Sequence, residues 1–242
     1  MIVNYINEPV LPVTVLVIGA GGNGSQMITQ LGRIDYALRK LGKPGLHVTL
    51  MDDDIVSPSN IGRQLFAESE IGQYKSDILI SRINRFYGLQ WESLTDRFTD
   101  GVELRAPNVV LTCTDNVSSR IAVHKWVKKV SRSTVSDHEW IFHYWIDMGN
   151  SKNTGQVICG SPKYKIPTMI DMFPKAKKME AVNDTPTCSL AEALEKQDLF
   201  INPFIANMAS KLLWEMLTAA ESINWRGAFM NLETINFKKI AA

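Results

Sequence analysis

The stretch Val13–Ile18 (VTVLVI) and the six residues after it, Gly19–Gly24 (GAGGNG), decide the fold of this 242-residue chain. An unbroken run of β-branched and apolar residues is typical of a strand that is buried on both faces of a parallel sheet. The glycines satisfy the GxGxxG pattern, which permits a tight turn and a close approach of the backbone to a phosphate. A following helix presents its N–H groups and positive dipole end to that anion. We therefore predict a nucleotide phosphate site that includes Gly19, Gly21, Gly22 and Gly24.

Strands and helices are predicted to alternate on the C-terminal side of this turn. Apolar residues recur at helical spacing over 23–41, and a second strand is predicted over 46–51. Further helices are predicted at about 74–87 and 118–131, with strands near 91–94 and 109–113. This alternation indicates an α/β fold with a Rossmann-like, mostly parallel sheet and right-handed connections.

The second half of the chain is less regular. Strands predicted at 140–148 and 156–160 precede a stretch rich in proline and lysine, 161–187, which we interpret as an irregular and mobile crossover loop. The rest of the chain is predicted to contain helices at 190–196 and 200–220 and a terminal hairpin of 228–232 and 235–240. We predict a single domain over 1–242, with its nucleotide-binding half at about 13–131.

The composition excludes several classes of protein. A hydrophobic fraction of 45% with 21% charged residues is ordinary for a globular chain. Lys and Arg number 26 against 25 for Asp and Glu, which argues against an electrostatic nucleic-acid binder. Three cysteines without CxxC spacing favour neither a disulfide framework nor a zinc site. We see no signal peptide and no membrane-length apolar run, so we expect a cytoplasmic protein.

Polar residues beyond the second predicted strand indicate which nucleotide binds. Asp52 ends that strand, where an acidic residue accepts hydrogen bonds from ribose hydroxyls, but it cannot distinguish NAD from ATP. Asn60, Arg63 and Lys75 follow at a spacing that a dinucleotide-binding dehydrogenase does not need. Cations at this position suit a triphosphate and a departing pyrophosphate. ATP is therefore the predicted nucleotide.

Together these residues form the pattern GxGGxGS…DxDxVxxSNxxRQ…GxxK…CTDN. The pattern resembles the ThiF/MoeB family, which includes the adenylation domains of ubiquitin-activating enzymes, and in particular the branch found in PRTRC gene clusters. The resemblance implies magnesium-dependent transfer of AMP from ATP to a carboxylate. The acceptor would be the C-terminus of a small ubiquitin-like or sulfur-carrier protein, and the enzyme a homodimer.

The resemblance also implies roles for individual residues. Asp52 would bind ribose, while Asn60, Arg63 and Lys75 would hold the phosphates. Asp54 and Gln64 belong to the same motif and are assigned to the nucleotide site.

Asp115 would engage magnesium by the same resemblance. Its position just past a buried parallel strand supports this role, because ligands bind at that edge of such sheets. Alternatively, Asp115 caps the helix that follows.

Cys188 is a further candidate catalytic residue. It is predicted to open a helix after the irregular loop, a position that favours the thiolate. The segment is similar to the Pro-x-Cys-Thr motif in which ubiquitin-activating enzymes form a thioester, although a lone cysteine is also often merely packed. Cys113 and Cys159 fall in predicted strands, and we expect both to be core residues.

Two departures from the family leave other functions open. The chain lacks the two CxxC pairs of many bacterial members, and residues 1–12 contain no arginine to reach a partner subunit's ATP. One alternative is adenylation of a carboxylate on a modified tRNA base. The others are a NAD-binding oxidoreductase and a catalytically silent scaffold that binds a ubiquitin-like partner.

Overall fold

A computed structural model describes residues 1, 4–132, 140–175, 197–219 and 222–242. Eight strands lie in this part of the chain: β1 Val13–Ile18, β2 Leu46–Met51, β3 Glu92–Leu94, β4 Val109–Thr112, β5 Tyr144–Asn150, β6 Thr154–Gly160, β7 Trp225–Asn231 and β8 Asn236–Ala241. The helices there are α1 Asn4–Asn7, α2 Gly22–Lys40, α3 Lys75–Tyr87, α4 Val117–Val130, α5 Met169–Met172 and α6 Ile201–Thr218. Two 3₁₀ turns, Pro58–Asn60 and Glu68–Glu70, lie between β2 and α3.

All eight strands join one sheet in the order β3-β2-β1-β4-β5-β6-β7-β8. The pairs from β3 to β5 are parallel, and those from β5 to β8 are antiparallel. Ile18 pairs with both Met51 and Thr112, so β1, β2 and β4 end level with one another. The strand order reverses between β1 and β4, and such a switch point is where open α/β sheets bind ligands.

Helices cover both faces of the sheet. On one face α2 and α6 pack together, and Met27, Ile28 and Leu31 of α2 are fully buried. On the other face Val123 and Trp126 of α4 pack against the sheet in a second apolar cluster. Strands β1 and β4 are buried along their whole length, which explains why they consist of continuous runs of apolar and β-branched residues.

The predicted α/β class with a mostly parallel sheet and mixed C-terminal strands is confirmed. The boundaries of the helices and strands in the first half agree with the prediction to within about two residues, as element boundaries usually allow. The predicted C-terminal hairpin is also present as β7 and β8.

Two predictions for the second half need correction. The strand predicted over 140–148 begins only at Tyr144, so Trp140 and Phe142 precede it. The stretch 161–187 is not irregular at its start, because Ser161 bridges Ile166 and Thr168 caps the short helix α5. Residues 176–187 and the helix predicted at 190–196 lie outside the described residues. Among the described helices, none is long and apolar enough to cross a membrane.

Candidate nucleotide-binding site

A cavity of about 290 Å³ opens at the carboxyl ends of β1, β2, β4 and β5. The parallel register brings the loops after these strands to one edge of the sheet, and a pocket there follows from that topology. Nine of the predicted site residues line it: Gly19, Gly21, Gly22, Asp52, Asp54, Arg63, Gln64, Lys75 and Asp115. Gly24 and Asn60 are not part of the lining, and Cys188 lies outside the described residues.

The glycine turn has two separate steric requirements. Gly19 has a φ of +97°, and a Cβ there would lie 3.0 Å from the carbonyl carbon of Cys113. A Cβ on Gly24 would lie only 2.0 Å from the carbonyl oxygen of Gly19. Gly24 therefore permits close contact between α2 and the preceding turn, instead of lining the cavity.

Asp52 is held against the glycine turn by a hydrogen bond from the backbone. Its carboxylate accepts hydrogen bonds from the backbone N–H groups of Ala20, at 2.6 Å, and of Asp54, at 3.0 Å. Burial raises the pKa of Asp52, while the Ala20 N–H and the charge of Lys75 act against that rise. The remaining lone pairs of this carboxylate can accept hydrogen bonds from ribose hydroxyls.

Lys75 is a buried cation at the first position of α3. The residue is 6% exposed, and its Nζ donates to Oδ2 of Asp54 at 2.8 Å. The side chain of Asp54 is 65% exposed, so the lysine of this ion pair is buried while its carboxylate partner faces solvent. A phosphate that enters the cavity can replace or share that carboxylate as the partner of Lys75.

Arg63 reaches the cavity from the loop between the two 3₁₀ turns. Its Nη1 donates to Oε1 of Gln197 at 2.6 Å, and its Nε has no hydrogen-bond partner among the described residues. Burial lowers the pKa of the guanidinium, and the charge of Asp115 opposes that change. Gln64 beside it is 6% exposed, and its Oε1 also has no partner among the described residues. These donors and acceptors are available to a polar ligand.

Asp115 is exposed on the loop between β4 and α4, and it does not cap the helix. The cap is Asn116, whose Oδ1 accepts a hydrogen bond of 2.8 Å from the N–H of Ser119. The capping alternative for Asp115 is therefore wrong. Its carboxylate remains available to a ligand in the cavity.

Arg120 holds this loop in place, a role that the sequence did not reveal. The guanidinium donates to the Thr114 carbonyl at 2.6 Å and to the Met148 carbonyl at 3.0 Å. It also donates to Oδ1 of the fully buried Asp147 at 3.0 Å. An arginine on a helix is ordinary in sequence, and only the pairing of β4 with β5 shows what it contacts.

Asn60 shapes the loop that carries Arg63. The residue is 7% exposed, and its Oδ1 accepts a hydrogen bond of 2.9 Å from the N–H of Ser57. Its side chain thus closes a turn and does not face the cavity.

Cys113 and Cys159 are buried free thiols, as predicted, and burial raises the pKa of each.

Amide side chains that the sequence analysis missed form another part of the lining. They are Asn23 at the start of α2, Asn150 at the end of β5, Gln197, and Asn202 at the start of α6. Asn23 donates to Asn150 at 3.0 Å, and Asn202 donates to Gln197 at 3.2 Å. A Cβ on Gly22 would lie 2.5 Å from Nδ2 of Asn202. The absence of a side chain at Gly22 therefore leaves room for the amide group of Asn202.

Protein side chains alone do not form a metal site in the described part of the chain. No group of three or more His, Cys, Asp or Glu residues there is placed to hold a metal ion. A cation in this cavity would need oxygen ligands from a bound molecule in addition to the carboxylate of Asp115.

Comparisons with known proteins agree with this fold. The sequence profile of the ThiF family matches residues 8–241, whereas no curated protein sequence matches significantly. PaaA superposes with a TM-score of 0.64 at 13% identity, covering 95% of this chain and 64% of PaaA. E. coli MccB with succinimide gives 0.64 at 15% identity over 98% and 65%, and MccB with ATP gives 0.61 at 13% over the same shares. The chain thus spans 64–65% of the length of these neighbours.

Proposed function

This chain belongs to the ThiF family, and we propose that it transfers AMP from ATP to a carboxylate. In the proposed reaction a carboxylate oxygen attacks the α-phosphorus of ATP and forms a new P–O bond. The bond from that phosphorus to the bridging oxygen of the β-phosphate breaks, and pyrophosphate leaves. The product is a mixed anhydride of the carboxylate with AMP.

The observation that carries this proposal is that two cationic side chains lie near a carboxylate that is placed to bind ribose. Arg63 and Lys75 line the same cavity as Asp52. The pyrophosphate of a dinucleotide binds at the glycine turn, so a bound dinucleotide has no further phosphate for these two cations to contact. A triphosphate that loses pyrophosphate needs them, because charge develops on the leaving group. In support, MccB has been crystallised with ATP and with AMPCPP plus MccA.

The chain's own residues would act mainly by positioning and charge stabilisation. Asp52 would orient the ribose, and Lys75 and Arg63 would neutralise the phosphates. A carboxylate is already a competent nucleophile, so the step needs no general base.

Asp115 would hold magnesium as its one carboxylate ligand from the described part of the chain, because Mg²⁺ in nucleotide sites usually takes one or two carboxylates together with phosphate oxygens. When bound, the ion would supply further neutralisation of phosphate charge. Asp115 would then determine the position of the ion relative to Arg63.

The proposed acceptor is the C-terminus of a small ubiquitin-like or sulfur-carrier protein. MccB, which shares the fold, has been crystallised with MccA. We also propose that 1–242 acts as one adenylation domain, as a cytoplasmic homodimer of the PRTRC branch.

Nucleotide preference tests the proposal. A ligand that binds only the native state raises thermal stability. We expect magnesium-ATP to raise the melting temperature more than NAD at equal concentration. The same shift should largely disappear in Arg63→Ala and Lys75→Ala, while the exposed Lys125→Ala serves as the control. Stronger stabilisation by NAD would contradict adenylation and favour a redox function.

Cys188 adds a second, separable hypothesis, that the adenylated acceptor passes to this thiol as a thioester. It rests on the sequence around Cys188, which resembles the Pro-x-Cys-Thr motif. We expect Cys188→Ser to retain ATP–pyrophosphate exchange while it loses a thiol-sensitive adduct with the acceptor on a non-reducing gel. If the wild-type protein forms no such adduct with an acceptor that drives exchange, the cysteine is not a nucleophile.

A further inference from the structure

A second cavity, of about 210 Å³, lies on the face of the sheet that α4 covers. Helices α2 and α3, which follow β1 and β2, both pack on the opposite face. The connection 95–108 between β3 and β4 contains neither a helix nor a strand, and part of it covers β1, β2 and β3 on this side. The cavity is thus a gap between three strands and an irregular cover.

This cavity is separate from the nucleotide cavity. Its floor crosses the sheet from Leu16 through Thr49 to Glu92, which are neighbours in the strand register. The nucleotide cavity begins further along the strands, at Ile18 and Met51. In the described part of the chain no residue lines both cavities. A ligand can therefore occupy the second cavity while a nucleotide is bound.

Apolar side chains form most of the floor and walls of the second cavity. Leu16 is buried, and Leu94, Leu104 and Trp140 are half-buried around it. The Trp140 ring meets the ring of His47 edge to face, with the ring centroids 6.5 Å apart. A concave surface of apolar and aromatic side chains with few polar groups is typical of small-molecule sites. Apolar ligand atoms that cover it gain the free energy of removing both surfaces from water.

Two side chains of opposite charge line the same cavity. The guanidinium carbon of Arg105 lies 5.6 Å from the centroid of the Trp140 ring, and no carboxylate among the described residues pairs with it. Glu92 has a side chain that is 65% exposed, and its Oε1 lies 4.0 Å from Nε2 of His47. Because that contact is long, the Glu92 carboxylate can accept a closer cation.

These features match a molecule with one carboxylate, one ammonium group and an apolar body. A free α-amino acid with an apolar side chain has this combination. A phosphate chain does not match, because Arg105 is the single Lys or Arg side chain in the described lining. A fatty acid would use Arg105 and the apolar floor but would leave Glu92 without a partner.

We propose that the second cavity binds a free amino acid with an apolar side chain, such as leucine. Arg105 binds the carboxylate, for which its planar N–H donors are suited, and Glu92 binds the ammonium group. The apolar side chain packs between Leu16, Leu94 and Trp140. This site is independent of the proposed adenylation.

An NMR titration of the isotope-labelled protein tests the site. The indole N–H resonance of Trp140 is identified by its loss in Trp140→Phe. We expect L-leucine to shift this resonance to saturation, with the same Kd when a non-hydrolysable ATP analogue is present. L-Serine carries the same two charges without the apolar body, and it should bind at least roughly tenfold more weakly.

Leucine analogues that lack one charge pair with variants that lack its partner. Arg105→Gln should raise the Kd of L-leucine roughly three- to fivefold, as expected for an ion pair at a solvent-exposed rim, but not that of isoamylamine, which has no carboxylate. Glu92→Gln should weaken L-leucine to a similar degree but not isocaproate, which has no ammonium group. In each case the two changes remove the same interaction. The exposed Arg85→Gln and Glu68→Gln serve as matched controls.

The remaining outcomes overturn the proposal. If L-leucine produces no saturable shift of the Trp140 resonance, the cavity is not an amino-acid site. Isocaproate that binds as tightly as L-leucine would assign the cavity to apolar carboxylates and exclude Glu92 from binding. Thr49→Phe places a ring on the cavity floor, and melting temperatures establish that it folds. If this folded variant retains the wild-type Kd for L-leucine, the ligand binds elsewhere.

Discussion

Asp115 and Asn116 are adjacent residues with different tasks. The amide of Asn116 satisfies a backbone N–H at the start of α4, whereas the carboxylate of Asp115 faces the cavity. From sequence, Asp115 was the residue considered as an alternative cap, because Asp is favoured at that position. The structure separates a stabilising residue from a candidate catalytic one.

Substitution of these two neighbours should therefore have opposite effects. Asn116→Ala should lower the free energy of unfolding by about 1 kcal/mol, as loss of a cap usually does. Asp115→Ala should leave stability near that of the wild type but abolish ATP–pyrophosphate exchange, because it removes the carboxylate assigned to magnesium. Denaturant melts and exchange assays of both variants measure the two effects. Full exchange by a folded Asp115→Ala protein would exclude this residue from the reaction.

The charged residues that line the cavity could be predicted from sequence, but their partners could not. Asp52, Arg63 and Lys75 stand in one ordered motif and line one cavity, as predicted. The amide side chains of the lining are spread from residue 23 to residue 202, and none of them belongs to a recognisable sequence motif. Only the strand order brings them together. Asn60 was assigned to the phosphates because it belongs to the motif, but its side chain closes a turn.

At the scale of elements, the connection from β4 to α4 depends on one buried ion pair. Arg120 on α4 joins Asp147 on β5 to the Thr114 carbonyl, immediately before Asp115. Burial raises the pKa of Asp147, and the charge of Arg120 acts against that rise. The pair thus couples the position of the Asp115 loop to the central strands of the sheet.

Breaking this pair should affect stability and activity in separable ways. Arg120→Ala should cost about 3–5 kcal/mol, because it leaves the Asp147 charge buried without its partner. Replacing both residues, as Arg120→Met with Asp147→Leu, should recover much of that stability. Exchange should still fall roughly tenfold or more, since the Asp115 loop loses its tie and small misplacements slow such reactions strongly. Wild-type exchange by the stable double variant would show that the pair has no positioning role.

The elements themselves were predictable to different degrees. Strands β1 and β4 are continuous runs of apolar and β-branched residues, so their burial on both faces makes them visible in sequence. Helix α5 has only four residues, too few for an apolar period to show. Its cap at Thr168 is a local signal that the surrounding prolines obscured.

At the scale of the whole molecule, the site draws on both halves of the sheet. The parallel half supplies the glycine turn, Asp52 and Asp115, while Gln197 and Asn202 come from the C-terminal part of the chain and Asn150 ends β5. The sheet turns antiparallel only after β5, so this strand belongs to both halves. The cavity residues of the parallel half were predictable from their motif. The contribution of the second half was not, because it depends on long-range strand pairing.

The position of ATP cleavage tests adenylation most directly. The wild-type protein is incubated with magnesium-ATP, a pool of short peptides with free C-terminal carboxylates, and hydroxylamine. The products are followed by phosphorus NMR and mass spectrometry. We expect AMP and pyrophosphate in equal amounts, with peptide hydroxamates formed from the captured anhydride and little of any product in Arg63→Ala. ADP and inorganic phosphate, or an ATP that binds and stays intact, would contradict transfer of AMP to a carboxylate.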